Sequence, residues 1–256
     1  MVFVPLRKTL LMKRFLLALA ILLLSALACG ARKLPAEALG TVQYEIRYTW
    51  GAIDAKVGTI SISLNPASWE NQAAYHSHGF LKTSSIFKLF IGEDLTVESD
   101  IAQSDLLPLH FLNPYRKGGK DCKFEFTYGR NGEIDALYQG PKETLTKTWP
   151  MDGKTFDLLS LLVFVRFRET ADTPVKLKVL LDENCYPASL TYQGKDTEKI
   201  PGVETERFLL RLTERGVMEN GSGNELLIWR SPGPDSRILC LEAPLKPGFM
   251  SIRIKE

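Results

Sequence analysis

Three histidines and a group of carboxylates are the residues of this sequence that could hold a metal ion. His76 and His78 are two positions apart in a segment with strand-like alternation, so their side chains would share one face of a strand. With His110 and Asp100 they could offer nitrogen and oxygen ligands to zinc. No further ligands follow at a diagnostic spacing. The sequence therefore predicts no metal site, and two exposed polar side chains on a strand.

Hydrolytic chemistry has equally little support. There is no Gly-x-Ser-x-Gly elbow, and Gly221-Ser222-Gly223 lacks the strand and helix that flank a nucleophilic serine. Asp94, Glu98 and Asp100 form the densest acidic group, but Glu98 and Asp100 on one strand face are typical of a solvated surface rather than of a glycosidase dyad. We expect no catalytic residue, no cofactor and no enzymatic activity.

Aromatic residues offer a different chemistry, the binding of an apolar ligand. Tyr44, Tyr48 and Trp50 lie at alternate positions of the first strand-like segment. Alternating aromatics usually fill a core, but they can also line a cavity. The candidate ligand-binding residues are these three together with Phe156 and Leu159 of an apolar segment further along the chain.

The chain that positions these residues alternates between apolar and polar positions almost throughout. About a dozen strands are predicted, separated by turn signals such as Asn131-Gly132. The second strand is expected to end at Asn65-Pro66. Residues 84–91 fit either a short helix or an apolar strand.

One segment departs from this alternation of apolar and polar residues. Residues 155–168 are apolar almost all round, which predicts a helix that is buried on most sides. It would be about 20 Å long, at roughly 1.5 Å per residue, and would begin at Thr155 or Asp157. A central strand is the alternative, because Val163 and Val165 favour sheets, but the length favours a helix.

Together the elements predict a mainly β fold, in which one long antiparallel meander curls around one apolar helix as a half barrel or open barrel. In outline this is similar to lipoprotein carriers. The sheet and the helix each have an apolar surface, and each can bury it against the other. We expect residues 41–256 to form a single antiparallel β domain and residues 29–40 to form a tether.

The start of the chain predicts export. Four basic residues precede an apolar run at residues 15–27, which is the layout of a secretory signal peptide and is too short to span a bilayer. Ala26-Leu27-Ala28 ends the run with small residues, so residues 1–28 are expected to be removed. Met12 is an alternative start to Met1.

Cleavage after Ala28 would leave Cys29 at the N-terminus, where a lipoprotein signal peptidase leaves an acylated cysteine. Ala26 stands where a good lipobox has a large aliphatic residue, so ordinary cleavage is the alternative, and retention as an anchor is a third. Acylation of Cys29 would be the only attachment to a membrane, such as the outer membrane, and one chain anchors weakly. We expect a protein of the cell envelope, either free in the periplasm or tethered as a lipoprotein.

The charge balance limits the kinds of partner that this protein can bind, and the number of cysteines limits its disulfides. The chain has 32 basic and 30 acidic residues, and this balance excludes the concentrated basic face that a nucleic acid needs. Cys122, Cys185 and Cys240 can form at most one disulfide, in three alternative pairings. Cys122 and Cys240 lie among alternating apolar residues, which favours buried thiols.

Several motifs resemble the exported bacterial "domain of unknown function 3108" family (DUF3108). They are Asp157-Leu158-Leu159-Ser160 with Arg166 after it, Leu227-Ile228-Trp229 before the hairpin to Cys240, and the opening Tyr44-Glu45-Ile46-Arg47-Tyr48. The likeness spans about residues 40–248 and departs at Pro232-Gly233-Pro234-Asp235, where the family tends to have fewer prolines. It implies a β-rich envelope protein and no known reaction.

Two functions are open. The first is a non-catalytic binding module for an apolar or lipid-like ligand, held between sheet and helix. The second is a structural or assembly factor of the cell envelope, with a filled core and an outer face that binds a protein or glycan partner. A cavity of roughly 300 Å³ or more beside the helix is expected for the first function, and a packed interior for the second.

Overall fold

The structure is a computed structural model, and it describes residues 33–84, 94–117, 119–129, 131–181, 184–213 and 224–255. The predicted signal peptide, Cys29, the Gly-Ser-Gly turn at residues 221–223 and all but the first residue of the ambiguous segment 84–91 lie outside these ranges.

Within the described ranges, fifteen strands form a single sheet. The strands are β1 Gly40–Trp50, β2 Ile53–Trp69, β3 Gln72–Thr83, β4 Leu95–Ala102, β5 Pro108–Lys117, β6 Lys120–Tyr128, β7 Glu133–Gln139, β8 Thr144–Pro150, β9 Thr155–Phe156, β10 Val175–Leu181, β11 Asn184–Asp196, β12 Thr205–Leu212, β13 Glu225–Arg230, β14 Ile238–Pro244 and β15 Phe249–Ile254. The elements are completed by a short 3₁₀ helix at Ala36–Ala38 and one α-helix, α1, at Leu158–Phe167.

The strand order shows two meanders joined at the ends of the chain. The order runs from β8 back to β1, then from β15 back to β9. The first and last strands therefore pair in the middle of the sheet, where Tyr44 lies opposite Ile254. Every strand pair is antiparallel except β9 with β10, and β8 and β9 form the two open edges. The predicted antiparallel meander and its open form are confirmed.

The second strand is longer than the sequence predicts. β2 continues through Pro66 to Trp69, and Pro66 lies opposite Tyr75 of β3. The expected break is wrong because β1 begins at Gly40, opposite Leu64. Beyond Leu64, β2 is an edge strand, and an edge strand tolerates a residue without an N–H group.

The predicted helix forms and begins at Leu158, directly after Asp157, the second of its two predicted starts. Thr155 and Phe156 pair with β10 as the short strand β9. Asp157 then caps the helix: its Oδ1 accepts a hydrogen bond of 3.0 Å from the backbone N–H of Ser160. Seven of the ten helical residues are buried, so α1 lies against the inner face of the curved sheet. No helix in the described ranges is long and apolar enough to cross a bilayer.

One arginine, Arg230, fixes the C-terminal end of α1. The guanidinium of Arg230, which forms an ion pair of 2.7 Å with Glu206, donates hydrogen bonds to the carbonyl oxygens of Arg166 and Arg168 at 2.8 and 3.0 Å. It therefore satisfies carbonyl groups that a helix end leaves unpaired. The segment expected to be a tether also reaches the core, since Leu34 and Ala38 are buried beside Tyr75.

Candidate functional site

A cavity of about 300 Å³ lies between the inner face of the sheet and α1. Its wall is aliphatic and aromatic apart from the Tyr44 hydroxyl, the Asn113 amide and Gly79. The volume is at the lower end of the range for ligand pockets, which are typically apolar with few polar groups.

The position of the helix explains why this space is open. The contacts of α1 with the sheet are concentrated on β3, β4 and β10. A Cβ built on Gly79 of β3 would lie 2.9 Å from Val97 and 3.3 Å from Leu159, so the absence of a side chain there lets α1 approach that side closely. The opposite wall, from β1, β2, β14 and β15, stands further from the helix, and the cavity fills the gap.

Three exposed hydrophobic side chains show where the cavity meets the surface of the described part of the protein. Phe80, Leu95 and Leu158 line the cavity and are 37%, 36% and 45% exposed, respectively. Leu158 is the first residue of α1. The entrance therefore lies at the N-terminal end of the helix.

The structure brings together two of the five predicted ligand-binding residues. Tyr44 and Leu159 both line the cavity. Phe156 does not, because it is fully buried against Phe164 with 4.7 Å between the ring centroids. Tyr48 lies further along β1, where its hydroxyl donates to the carbonyl of Pro247 at 2.7 Å. Trp50 is 51% exposed at the rim of the sheet.

Sequence reasoning missed most of the cavity wall. The missed residues include Ile60, Ile62, Asn113, Leu181 and Ile252, which come from four different strands. The alternation of apolar residues could indicate the inner face for each of them. It could not indicate which inner residues contact the helix and which face open space, because that depends on how far α1 stands from each strand.

Three of the four candidate metal ligands, His76, Asp100 and His110, form a hydrogen-bonded group with Glu125 across β3 to β6. His76 Nδ1 lies 2.9 Å from Asp100 Oδ1, and His110 Nδ1 lies 3.4 Å from Asp100 Oδ2. His110 Nε2 lies 3.0 Å from Glu125 Oε1, and the Trp69 ring stacks on the His110 ring at 4.2 Å. The histidine nitrogens contact carboxylates, and no group of the described residues is arranged to hold a metal ion.

These contacts shift the protonation of the group. Burial acts to lower the pKa of His110, but hydrogen bonds to Asp100 and Glu125 outweigh it, and the pKa is raised above its ordinary value. Burial acts to raise the pKa of Asp100, and the two histidines outweigh it and lower that pKa. Asp100 is only 8% exposed, so the expectation of a solvated acidic face is wrong for this residue.

The cysteines of the described ranges are not joined by disulfides. Cys122 and Cys240 are buried and Cys185 is half-buried. Burial raises the pKa of the Cys240 thiol to about 11, which keeps it in the unreactive protonated form.

The fold and cavity define a class: an open, barrel-like antiparallel sheet with one helix inside and an apolar space between them. A family model described as "Protein of unknown function (DUF3108)" matches residues 43–253, and the chain therefore belongs to the DUF3108 family. The crystal structure of a "beta-barrel-like protein of domain of unknown function DUF1849" from Brucella abortus is similar in fold. Its TM-score is 0.53, with 6% sequence identity, over 84% of this chain and 95% of that one. No curated protein matches the chain.

Proposed function

We propose that this protein is an exported, non-catalytic binding module that holds an apolar or lipid-like ligand in the cavity between the sheet and α1. The observation that carries the proposal is the cavity itself, with its volume of about 300 Å³ and its almost wholly apolar wall. Unfilled apolar space reduces the stability of a fold, because the lining atoms lose packing partners. An apolar ligand would restore those contacts.

The chemistry of the wall determines the kind of ligand. A ligand with many hydrogen-bonding groups would lose its bonds to water and find few replacements among isoleucine, leucine and phenylalanine side chains. An acyl chain loses nothing of this kind and gains from burial, by about 0.8 kcal/mol for each methylene group. The basic and apolar start of the chain supports the periplasm as the place where this binding occurs.

A fluorescent acyl probe tests the proposal. Delipidated wild-type protein should bind the probe saturably, and dodecanoic acid should displace it. Val97→Phe and Ile252→Phe place a larger side chain in the cavity from two different walls, and each should weaken binding by at least ten-fold. The matched control is Val203→Phe, at a residue that is 40% exposed and outside the cavity, and it should bind as wild type does.

Each result of this binding experiment either supports or contradicts the proposed function. Absence of saturable binding, or undiminished binding by both cavity variants, would contradict the proposal. The melting temperatures of the variants show whether a loss of binding comes from unfolding. Native mass spectrometry of protein purified from its own envelope, followed by lipid extraction, would then identify the ligand.

A second candidate function, envelope assembly, is favoured by one observation. Trp50 and Ile53 lie opposite each other at the β1–β2 turn, and they are 51% and 50% exposed. Paired apolar side chains at a rim are suited to contact with a protein partner. Complementation of a deletion strain distinguishes the two candidate functions. The double variant Trp50→Ser, Ile53→Ser should fail to complement the strain if the function is assembly. Val97→Phe should fail to complement it if the function is ligand binding.

A further inference from the structure

A small polar recess adjoins the cavity. It has a volume of about 20 Å³ and shares Tyr44, Ile62, Leu159, Leu162 and Ile238 with the cavity wall, so the two spaces are neighbours. This is room for one water-sized group. Seven of its ten lining residues are apolar and three are polar, and because of these three we call it the polar recess.

Three hydrogen-bond donors line the polar recess from three elements. They are the hydroxyl of Tyr44 on β1, the hydroxyl of Ser77 on β3 and the guanidinium of Arg166 on α1. The helical spacing explains the position of the arginine, because Leu159, Leu162 and Arg166 recur at three- and four-residue intervals on one side of α1. The helix side that bounds the apolar cavity thus ends in a cation.

The Arg166 charge has no anionic partner among the described residues. Its Nε donates to the Ser236 carbonyl at 2.8 Å and its Nη2 donates to the Ala38 carbonyl at 2.9 Å. Both acceptors are neutral, and the carboxylate of Asp235 acts on Arg166 only through space. Burial lowers the pKa of Arg166, which shows that the surroundings disfavour its charge.

The hydroxyl groups of Ser77 and Tyr44 can also donate hydrogen bonds to a ligand. Ser77 is fully buried, and its Oγ makes no hydrogen bond with the described residues. Burial raises the pKa of Tyr44 to about 12, so its hydroxyl is a neutral donor at physiological pH. Buried polar groups of this kind are normally satisfied, and each unsatisfied group carries a desolvation cost.

We propose that the polar recess binds a carboxylate oxygen of a fatty acid whose hydrocarbon chain occupies the cavity. This inference rests on the proposed function and names the chemistry of its ligand. A carboxylate can accept hydrogen bonds from all three residues, and the guanidinium group of Arg166, whose Nε and Nη2 already donate to backbone carbonyls, matches it in charge. A phosphate monoester head group shares the negative charge, but the small volume of the recess favours the smaller carboxylate.

Matched ligands test the head group independently of the chain. Dodecanoic acid, methyl dodecanoate and dodecyl phosphate have the same chain and differ in the group that would reach the recess. In calorimetric titrations at neutral pH the acid should bind at least ten-fold more tightly than its methyl ester and more tightly than the phosphate.

Variants then assign the effect to the three donors. Tyr44→Phe and Ser77→Ala each remove a hydroxyl without changing the charge, and each should weaken binding of the acid by about three-fold or more and leave the ester unaffected. Arg166→Gln should abolish the preference for the acid, and Arg166→Lys should retain part of it. The control is Ser251→Ala, a buried serine of β15 that is outside the recess.

Each outcome decides the inference. Equal binding of acid and ester, unchanged by the Tyr44 and Ser77 variants, overturns the carboxylate assignment and leaves the proposed function intact. Tighter binding of dodecyl phosphate also overturns it. If no dodecyl ligand binds, both the inference and the proposed function fail. Because Arg166 also holds two backbone carbonyls, the two hydroxyl variants keep the test valid if Arg166→Gln does not fold.

Discussion

Ser99 and Asp157, 58 residues apart in the sequence, are joined by a buried hydrogen bond of 2.9 Å from Ser99 Oγ to Asp157 Oδ2. The same carboxylate oxygen accepts a bond of 2.7 Å from Ser160 Oγ, and Oδ1 caps the helix. One side chain therefore starts α1 and attaches it to β4. This attachment holds the N-terminal end of the helix at the entrance of the cavity.

Removal of this carboxylate should destabilise the fold strongly. Asp157→Ala loses the helix cap and leaves the buried hydroxyl of Ser99 without its acceptor, whereas Ser160 Oγ keeps a hydrogen bond of 3.1 Å to the backbone carbonyl of residue 157. We expect the free energy of unfolding to fall by about 3 kcal/mol, from roughly 1 kcal/mol for the cap and 1–3 kcal/mol for the buried Ser99 hydroxyl. Urea denaturation measures this change. Asp121→Ala, at a side chain that is 91% exposed, is the control and should have little effect.

The His110 group predicts how stability depends on pH. The pKa of His110 is raised in the folded state, so its contribution to stability is fully present below the unfolded pKa of about 6.5 and is lost as pH rises through the folded value. Asp100 and Glu125 have lowered pKa values, so their contributions are present above about pH 4 and are lost as pH falls further.

Two variants measure how the contribution of His110 to stability depends on pH. The stability difference between wild type and His110→Gln should be larger at pH 6 than at pH 9, because the protonated imidazole faces both carboxylates. The control is Ser251→Ala, at a buried residue without an ionisable side chain, and it should show no such trend. A difference that stays constant or grows from pH 6 to pH 9 would show that His110 does not carry a raised pKa.

The helix offers a direct test of the interior. Leu161 is 1% exposed in the core, whereas Leu158 on the first turn is 45% exposed. Leu161→Asp should prevent folding, since a buried unpaired charge costs several kcal/mol. Leu158→Asp should fold, with a change in melting temperature of only a few degrees. Circular dichroism melts of both variants check the contrast, and similar melting of the two would mean that α1 does not lie inside the sheet.

Export remains a prediction from the first residues of the chain. The basic start and the apolar run at residues 15–27 lead us to expect cleavage after Ala28. The intact mass of protein from the envelope should correspond to an N-terminus at Cys29, with or without an acyl modification. Recovery of the full-length chain in the cytosol would contradict this prediction.

The sequence by itself determined the pattern of the elements. Alternation predicts strands at residues 120–128, 133–139, 175–181 and 249–254, and the observed β6, β7, β10 and β15 have these bounds. The all-round apolar character of residues 155–168 identified the one helix of the described ranges and its buried state, and the motifs around Asp157 pointed to the correct family. These properties are local, because each depends on side chains within a few positions of one another.

Tertiary structure alone decided the site. Alternation assigns a residue to the inner face, but its depth depends on the register between strands and on where the helix lies. For this reason Trp50, which shares the alternation of Tyr44, lies at the exposed rim of the sheet. Phe156, which belongs to the same apolar segment as Leu159, lies in the packed core. The polar recess likewise joins Tyr44, Ser77 and Arg166, which are far apart in sequence, because β1, β3 and α1 meet there.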